Sequence, residues 1–309
     1  MSRRGWMLFL ALCVIWGIPY LLIKVAVADI NPLLVAFCRV LIGGLILLPI
    51  ALKQRALGPV LKRWPLLLLY TVIEICIPWF FLGLAETKLN SSTAGLLIAV
   101  VPLIASVILW ATGQDKFSRI RVIGLILGFA GVAALVGLDI RLDNLLAVGA
   151  VAITAIGYAV GPIIISRKFT DLPASGVITA SLLLAAVIYA PFVTFVWPTQ
   201  AVSAQSLWAV IALGVLCTAT AFTLFFALIG EAGPARASVI TYVNPAVAII
   251  LGVLLLSEPF TIGTAIGFPL VILGSVLATS RNRTRGKKTA AINPEATTAV
   301  ASSTPSQHP

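Results

Sequence analysis

A single carboxylate lies where a bilayer makes carboxylates costly. Glu74 stands between Ile73 and Ile75, near the middle of the apolar run 65–84. A charged side chain at the centre of a membrane helix costs on the order of 2.5–3.5 kcal/mol, so Glu74 is expected to face a cavity or a partner and not lipid. A carboxyl group that can take up and release a proton there suits proton coupling. The competing reading is a structural carboxyl held by a neighbouring hydroxyl or by Arg39. Trp16, Tyr158, Tyr242 and Asn244 fall at about the same depth in their own apolar runs. With Glu74 they form the candidate substrate-binding set, since aromatic faces with a few polar tips suit an amphipathic or cationic metabolite.

Three basic residues also lie in or beside apolar runs. Arg39 is seven residues into its run, about 10 Å from the end at 1.5 Å per residue. It can hold an anionic group of a substrate, or take a packing role tied to a backbone carbonyl or to Asp29. Lys24 and Arg167 are expected to be structural anchors that reach toward the headgroups. Pro102 and Pro245 sit inside apolar runs, where the lost hydrogen bond permits a bend, so they are candidate hinges or fixed kinks. No catalytic set is visible: the runs hold no histidine and no second central carboxylate. His308 sits near the C-terminal end, and Cys13, Cys38, Cys76 and Cys217 show no C-x-x-C or repeated spacing. An enzyme, a metal centre and a cofactor are therefore not expected.

These residues are carried by ten apolar elements. The chain of 309 residues is 60% hydrophobic and 10% charged, whereas roughly a quarter of a soluble domain is charged. A hydrocarbon core of about 30 Å needs roughly 20 helical residues. Ten runs have that length: 6–27, 32–52, 65–84, 91–111, 119–138, 145–165, 175–196, 206–228, 234–256 and 260–280. The first resembles a signal peptide, but Trp6 to Ile23 is longer than an ordinary apolar signal region, and it is read as a retained span.

The net charge of +11 falls in short clusters between the runs, which points to membrane orientation and not to nucleic acid. With the N-terminus in the cytoplasm, Arg3, Arg4, Lys53, Arg55, Lys62, Arg63, Lys116, Arg119, Arg121, Arg167, Lys168 and Arg236 all fall on the cytoplasmic side. Lys88 and Arg141 alone are left outside. Both termini are then cytoplasmic, in a multi-pass protein of the plasma (inner) membrane. Residues 281–309 are first basic and then rich in Ala, Thr, Ser and Pro, and are expected to be a disordered tail.

The chain also matches itself at an offset of 143: Pro19 with Pro162, Lys24 with Arg167, Pro102 with Pro245, Phe117 with Phe260, Gly124 with Gly267, and Gly131 with Gly274. Asp115 and Glu258 share the offset, and Glu74 falls opposite Cys217. Because each unit has five spans, the second must lie inverted, with any substrate site near the midplane between the halves. The division is 1–5, a cytoplasmic N-terminus; 6–138, the first repeat; 139–144, an outer linker; 145–280, the second repeat; and the tail. Gly124 and Gly128, with Gly263 and Gly267, form G-x-x-x-G spacings that serve packing within the bundle or a homodimer contact.

Trp16-Gly17 followed by Lys24, Arg39 before Leu41, Gly43 and Gly44, and Asn244-Pro245 before Leu256-Ser257-Glu258 resemble the motifs of the drug/metabolite transporter superfamily, in its ten-helix EamA-like branch. Ser257 stands where that family shows glycine, and Gly113-Gln114-Asp115 departs further from its L-G-E element. The resemblance covers residues 6 to about 280. It implies an all-α membrane fold in which helices 1, 3, 4, 6, 8 and 9 line a central cavity and helix 2 is peripheral, which turns the expectation for Arg39 toward packing. It implies a secondary transporter of amino acids, drugs or related metabolites, driven by protons or exchange, with export favoured because the branch contains many exporters. Importer, channel and membrane-embedded enzyme are the alternatives.

Overall fold

Hydrocarbon offers no hydrogen-bond partner to the backbone, so apolar runs of this length close their bonds internally as helices. The computed structural model describes residues 1–114, 118–233, 237 and 239–280. Among these, α1 spans Arg3–Ala26, α2 Pro32–Lys53, α3 Trp64–Glu86, α4 Ser91–Ala111 and α5 Arg119–Asp139. The second half has α6 at Leu145–Lys168, α7 at Ala174–Val193, α8 at Ala204–Ala232, α9 at Ile240–Leu256 and α10 at Ile262–Thr279. Nine are long enough to cross a bilayer, and α9 is shorter in its described part. The expected start of α9 at 234 falls among residues not described, as do Asp115, Lys116, Phe117, Arg236 and the tail with His308. The helices alternate in direction. One end of the bundle carries Arg3, Lys53, Arg63 and Lys168 and is called the basic face here; Asp29, Glu86 and Ser203 mark the opposite face.

Four of the ten runs are not the uninterrupted helices that their hydropathy suggests. The α1 helix stops at Ile15 and restarts at Ile18, and α4 stops at Ile98 and restarts at Val101. In both cases the stop is four residues before a proline, Pro19 or Pro102, whose missing N–H would have bonded that carbonyl. Pro102 therefore lies in the first turn after a break. Pro245 lies inside an unbroken α9, and Pro162, the repeat mate of Pro19, inside an unbroken α6. The α3 helix widens to a π-helical segment at Thr71–Cys76, just ahead of Pro78, and α8 does so at Val215–Thr220. These two segments fall at matching places in the two halves, within one residue of the 143 offset.

Toward the opposite face, the end of α1 packs on the starts of α4 and α8, on α9 and on the end of α3. Toward the basic face the bundle divides. The first half of α1 packs on the last part of α8 and on α9, around Leu12, Leu228 and Ile240. The start of α3 packs instead on α6 and α7, and the end of α4 on α6 and α10. Between α2, α7 and the last part of α8, toward the basic face, lies a pocket of about 380 Å³ lined by Leu47, Gln54, Ser175, Thr179, Thr223 and Phe226. The α5–α10 pair is the most extensive helix contact, and its glycines are used within the chain. A Cβ at Gly124 would strike the backbone of Gly274 and Ala278, and one at Gly131 the Gly267 carbonyl.

Candidate functional site

The widened turn of α3 carries Glu74, and α6 makes room for it. A Cβ at Gly161 would overlap the Glu74 carboxylate, and one at Gly157 would strike the Ile73 carbonyl and the Pro78 ring. These two glycines let α6 lie directly against the π-helical segment. Pro78 cannot donate to the Glu74 carbonyl, which loosens the ladder at this place. The Tyr189 hydroxyl donates to the Cys76 carbonyl at 2.6 Å, and Thr154 Oγ1 donates to the Pro78 carbonyl at 3.1 Å. Glu74 itself is half-buried, and its Oε2 is enclosed without a hydrogen-bond partner.

The widened turn of α8 carries Thr218. Its hydroxyl donates to the Leu213 carbonyl, five residues back, at 2.8 Å and accepts from Arg39 Nε at 3.1 Å. The approach of α2 to α8 depends on small residues, since a Cβ at Gly43 would meet the Thr218 side chain and one at Gly214 would meet Ile42. Arg39 is 7% exposed, and its guanidinium lies 3.8 Å from the centre of the Trp79 ring. No described carboxylate reaches it within ion-pair distance, and its terminal nitrogens hold no hydrogen bond among the described residues. Tyr20, Tyr158 and Glu86 lie within its electrostatic reach, and Tyr158 also senses Glu74. Tyr158 thus stands between the acid and the base.

A second polar group closes the opposite face. Lys24 Nζ donates to the carbonyls of Glu86 at 2.7 Å and Leu89 at 2.8 Å, capping the end of α3. Beside it the Glu86 side chain is 0% exposed, with neither carboxylate oxygen hydrogen-bonded. Glu258 accepts from the backbone N–H groups of Ser91 at 2.7 Å and Ser92 at 2.9 Å, at the start of α4. Asp29 accepts from the Ser203 N–H and hydroxyl and from the Ser206 hydroxyl. Those bonds, the Ser203 hydroxyl first, hold the Asp29 carboxyl below the usual carboxylate range.

Several expectations change with these positions. Arg39 is tied to neither Asp29 nor a backbone carbonyl, and through it α2 reaches Trp79 of α3 and Thr218 of α8. Lys24 turns inward to helix-end carbonyls and does not reach for headgroups, because those carbonyls lack donors of their own. Arg167 is exposed on the basic face. Glu74 and Tyr158 come together, whereas Trp16 packs on Phe222 and Phe225. The Asn244 backbone lies against Gly17 at the break in α1, with its Oδ1 buried and unbonded. Tyr242 is not at mid-depth: it lies in the first turn of α9 and pairs with the Thr279 hydroxyl at 2.6 Å. Sequence reasoning missed Trp79, Thr218, Tyr20 and Glu86. Only Glu86, an acid two residues beyond the expected end of its run, left a signal, and a residue so placed reads as interfacial.

The EamA-like transporter family model matches residues 3–137 and again 145–280, one match per five-helix unit. The chain belongs to the EamA-like transporter family. EamA-like relatives include the uncharacterized transporter YvbV of Bacillus subtilis (strain 168), 27% identical over 305 residues, which cover 96% of this chain and 98% of YvbV. The uncharacterized inner membrane transporter YedA of Escherichia coli (strain K12) is 27% identical over 273 residues, covering 87% and 88%. A solved crystal structure, 20% identical, has a TM-score of 0.65 over 90% of this chain and 97% of its own, a likeness of fold. The two matched units agree with the two sets of five helices, each of which carries one π-helical segment. The protein is a multi-pass membrane transporter.

Proposed function

We propose that this EamA-like transporter is a secondary active exporter of small metabolites, amino acids or related compounds and drugs among them, working by alternating access. The observation that carries this reading is the pair of π-helical turns at matching places in the two repeats, with Glu74 half-buried on the first and Thr218 on the second. The excess of Lys and Arg assigns the basic face to the cytoplasm, and the pocket among Gln54, Ser175, Thr223 and Phe226 lies toward that face, the side from which an exporter loads. Inverted repeats supply the return stroke, because exchanging the conformations of the halves opens the other face. Glu74 is the coupling group in this reading.

Purified protein in proteoliposomes, assayed with the metabolites that cells lacking it retain, tests the proposal. Flux that saturates and exchanges with labelled substrate is expected. Ohmic, non-saturating conductance would sink the carrier reading, and retention unchanged by loss of the protein would sink export.

A further inference from the structure

We infer that Arg39 is the anchor for a single carboxylate, so that the transported solutes are monocarboxylates bound where α2 meets Trp79 of α3 and Thr218 of α8. The inference rests on the carrier reading above and narrows its substrate class. Arg39 as a residue is 7% exposed, and a buried charge costs several kcal/mol unless something compensates it. Here the protein supplies little: one bond from Nε to Thr218 and the face of Trp79. The nearest acid in its electrostatic surroundings, Glu86, forms no ion pair with it. The two terminal nitrogens, the fork that matches a carboxylate with two parallel bonds, are left without protein partners.

The partners that Arg39 does have orient that fork. Stacking on Trp79 sets the plane of the guanidinium, and the Thr218 bond sets its direction in that plane. Trp79 belongs to the first repeat and Thr218 to the second, so a ligand seated on Arg39 is held between the two moving halves. Tyr20 and Tyr158 share the electrostatic surroundings of the same guanidinium. The charge balance selects a monoanion. The other cation near the site, Lys24, is engaged by two carbonyls, so a dicarboxylate or a phosphate dianion would bring a charge that no group here neutralises.

Acids and their uncharged or charge-shifted amides distinguish this from a site that reads size alone. The full chain in nanodiscs is titrated with phenylacetate and phenylacetamide, isovalerate and isovaleramide, and leucine and leucinamide, following thermal unfolding and tryptophan fluorescence. At least one acid is expected to bind saturably and about tenfold more tightly than its amide, a difference of about 1.4 kcal/mol. Arg39→Gln should abolish that preference, and Arg39→Lys should keep part of it, a charge without the fork. Amides binding as tightly as acids, an acid preference surviving in Arg39→Gln, or no acid binding would each overturn the proposal. If the Arg39 variants do not fold, the acid and amide pairs on the wild type decide alone. Counterflow in proteoliposomes separates the two levels. Exchange of neutral or cationic solutes, unchanged by Arg39→Gln, overturns the carboxylate site and leaves the carrier; no exchange of any solute overturns the carrier.

Discussion

Glu74 is tolerated in the bundle because of what α6 lacks opposite it. Gly161 leaves a space the size of the carboxyl group, and Gly161→Ala would fill it. Overpacking of this kind costs about 1–3 kcal/mol, so the variant should unfold at lower temperature and transport poorly, while Glu74→Ala in the same background should relieve the clash. Glu74→Gln should leave substrate counterflow intact and remove the response to an imposed pH gradient; pH-driven flux that persists would end the coupling role. At the opposite face the bonds from Ser203 and Ser206 lower the proton affinity of Asp29 in the folded protein. Its contribution to stability is therefore present above the ordinary carboxylate value, roughly pH 4, and is lost as pH falls through the lower folded value. The melting-temperature difference between wild type and Asp29→Asn should be constant at neutral pH and shrink in acid. Glu74 could be found in the sequence because its neighbours make it anomalous. Arg39 was visible too, but its role was not: Thr218 lies 179 residues away, and no spacing joins them.

At the scale of elements, the ten apolar runs could be read from length alone, and their interruptions could not. Proline frees a carbonyl wherever it occurs in a helix. Pro19 and Pro102 follow breaks, Pro78 follows a widened turn, and Pro162 and Pro245 sit in unbroken helices. The outcome depends on which neighbour takes the freed group, and that is a property of the assembled bundle. In α3 a neighbour also acts beside the freed Glu74 carbonyl: the Tyr189 hydroxyl holds the Cys76 carbonyl at the end of the widened turn. Tyr189→Phe should cost about 0.6–1.7 kcal/mol, the range of hydrogen bonds between membrane helices, read as a lower unfolding temperature in detergent. The widened turns also refine the repeat. Each holds a polar residue in fourth place, Glu74 in one and Thr218 in the other. Counting from the turns instead of from the prolines thus pairs the acid with the residue that holds Arg39, and not with Cys217.

For the molecule as a whole, the packed opposite face predicts how it can be locked. Asp29 and Ser203 join the end of α1 to the start of α8. In a chain freed of Cys13, Cys38, Cys76 and Cys217, the pair Asp29→Cys and Ser203→Cys should cross-link under oxidation and arrest transport, with recovery on reduction. Full activity in the cross-linked protein would show that this face does not open. The glycine seam between α5 and α10 has a different place in such a cycle. Its contacts come as a symmetric pair: Gly124 meets Gly274, and Gly131 meets Gly267, while the repeat carries Gly124 onto Gly267 and Gly131 onto Gly274. The seam is thus mapped onto itself by the two-fold operation that relates the halves. Kinematically it is an axle: when the halves trade shapes, this line alone has nowhere it must go, and a probe clamped there should ride through the cycle without registering which way the carrier faces.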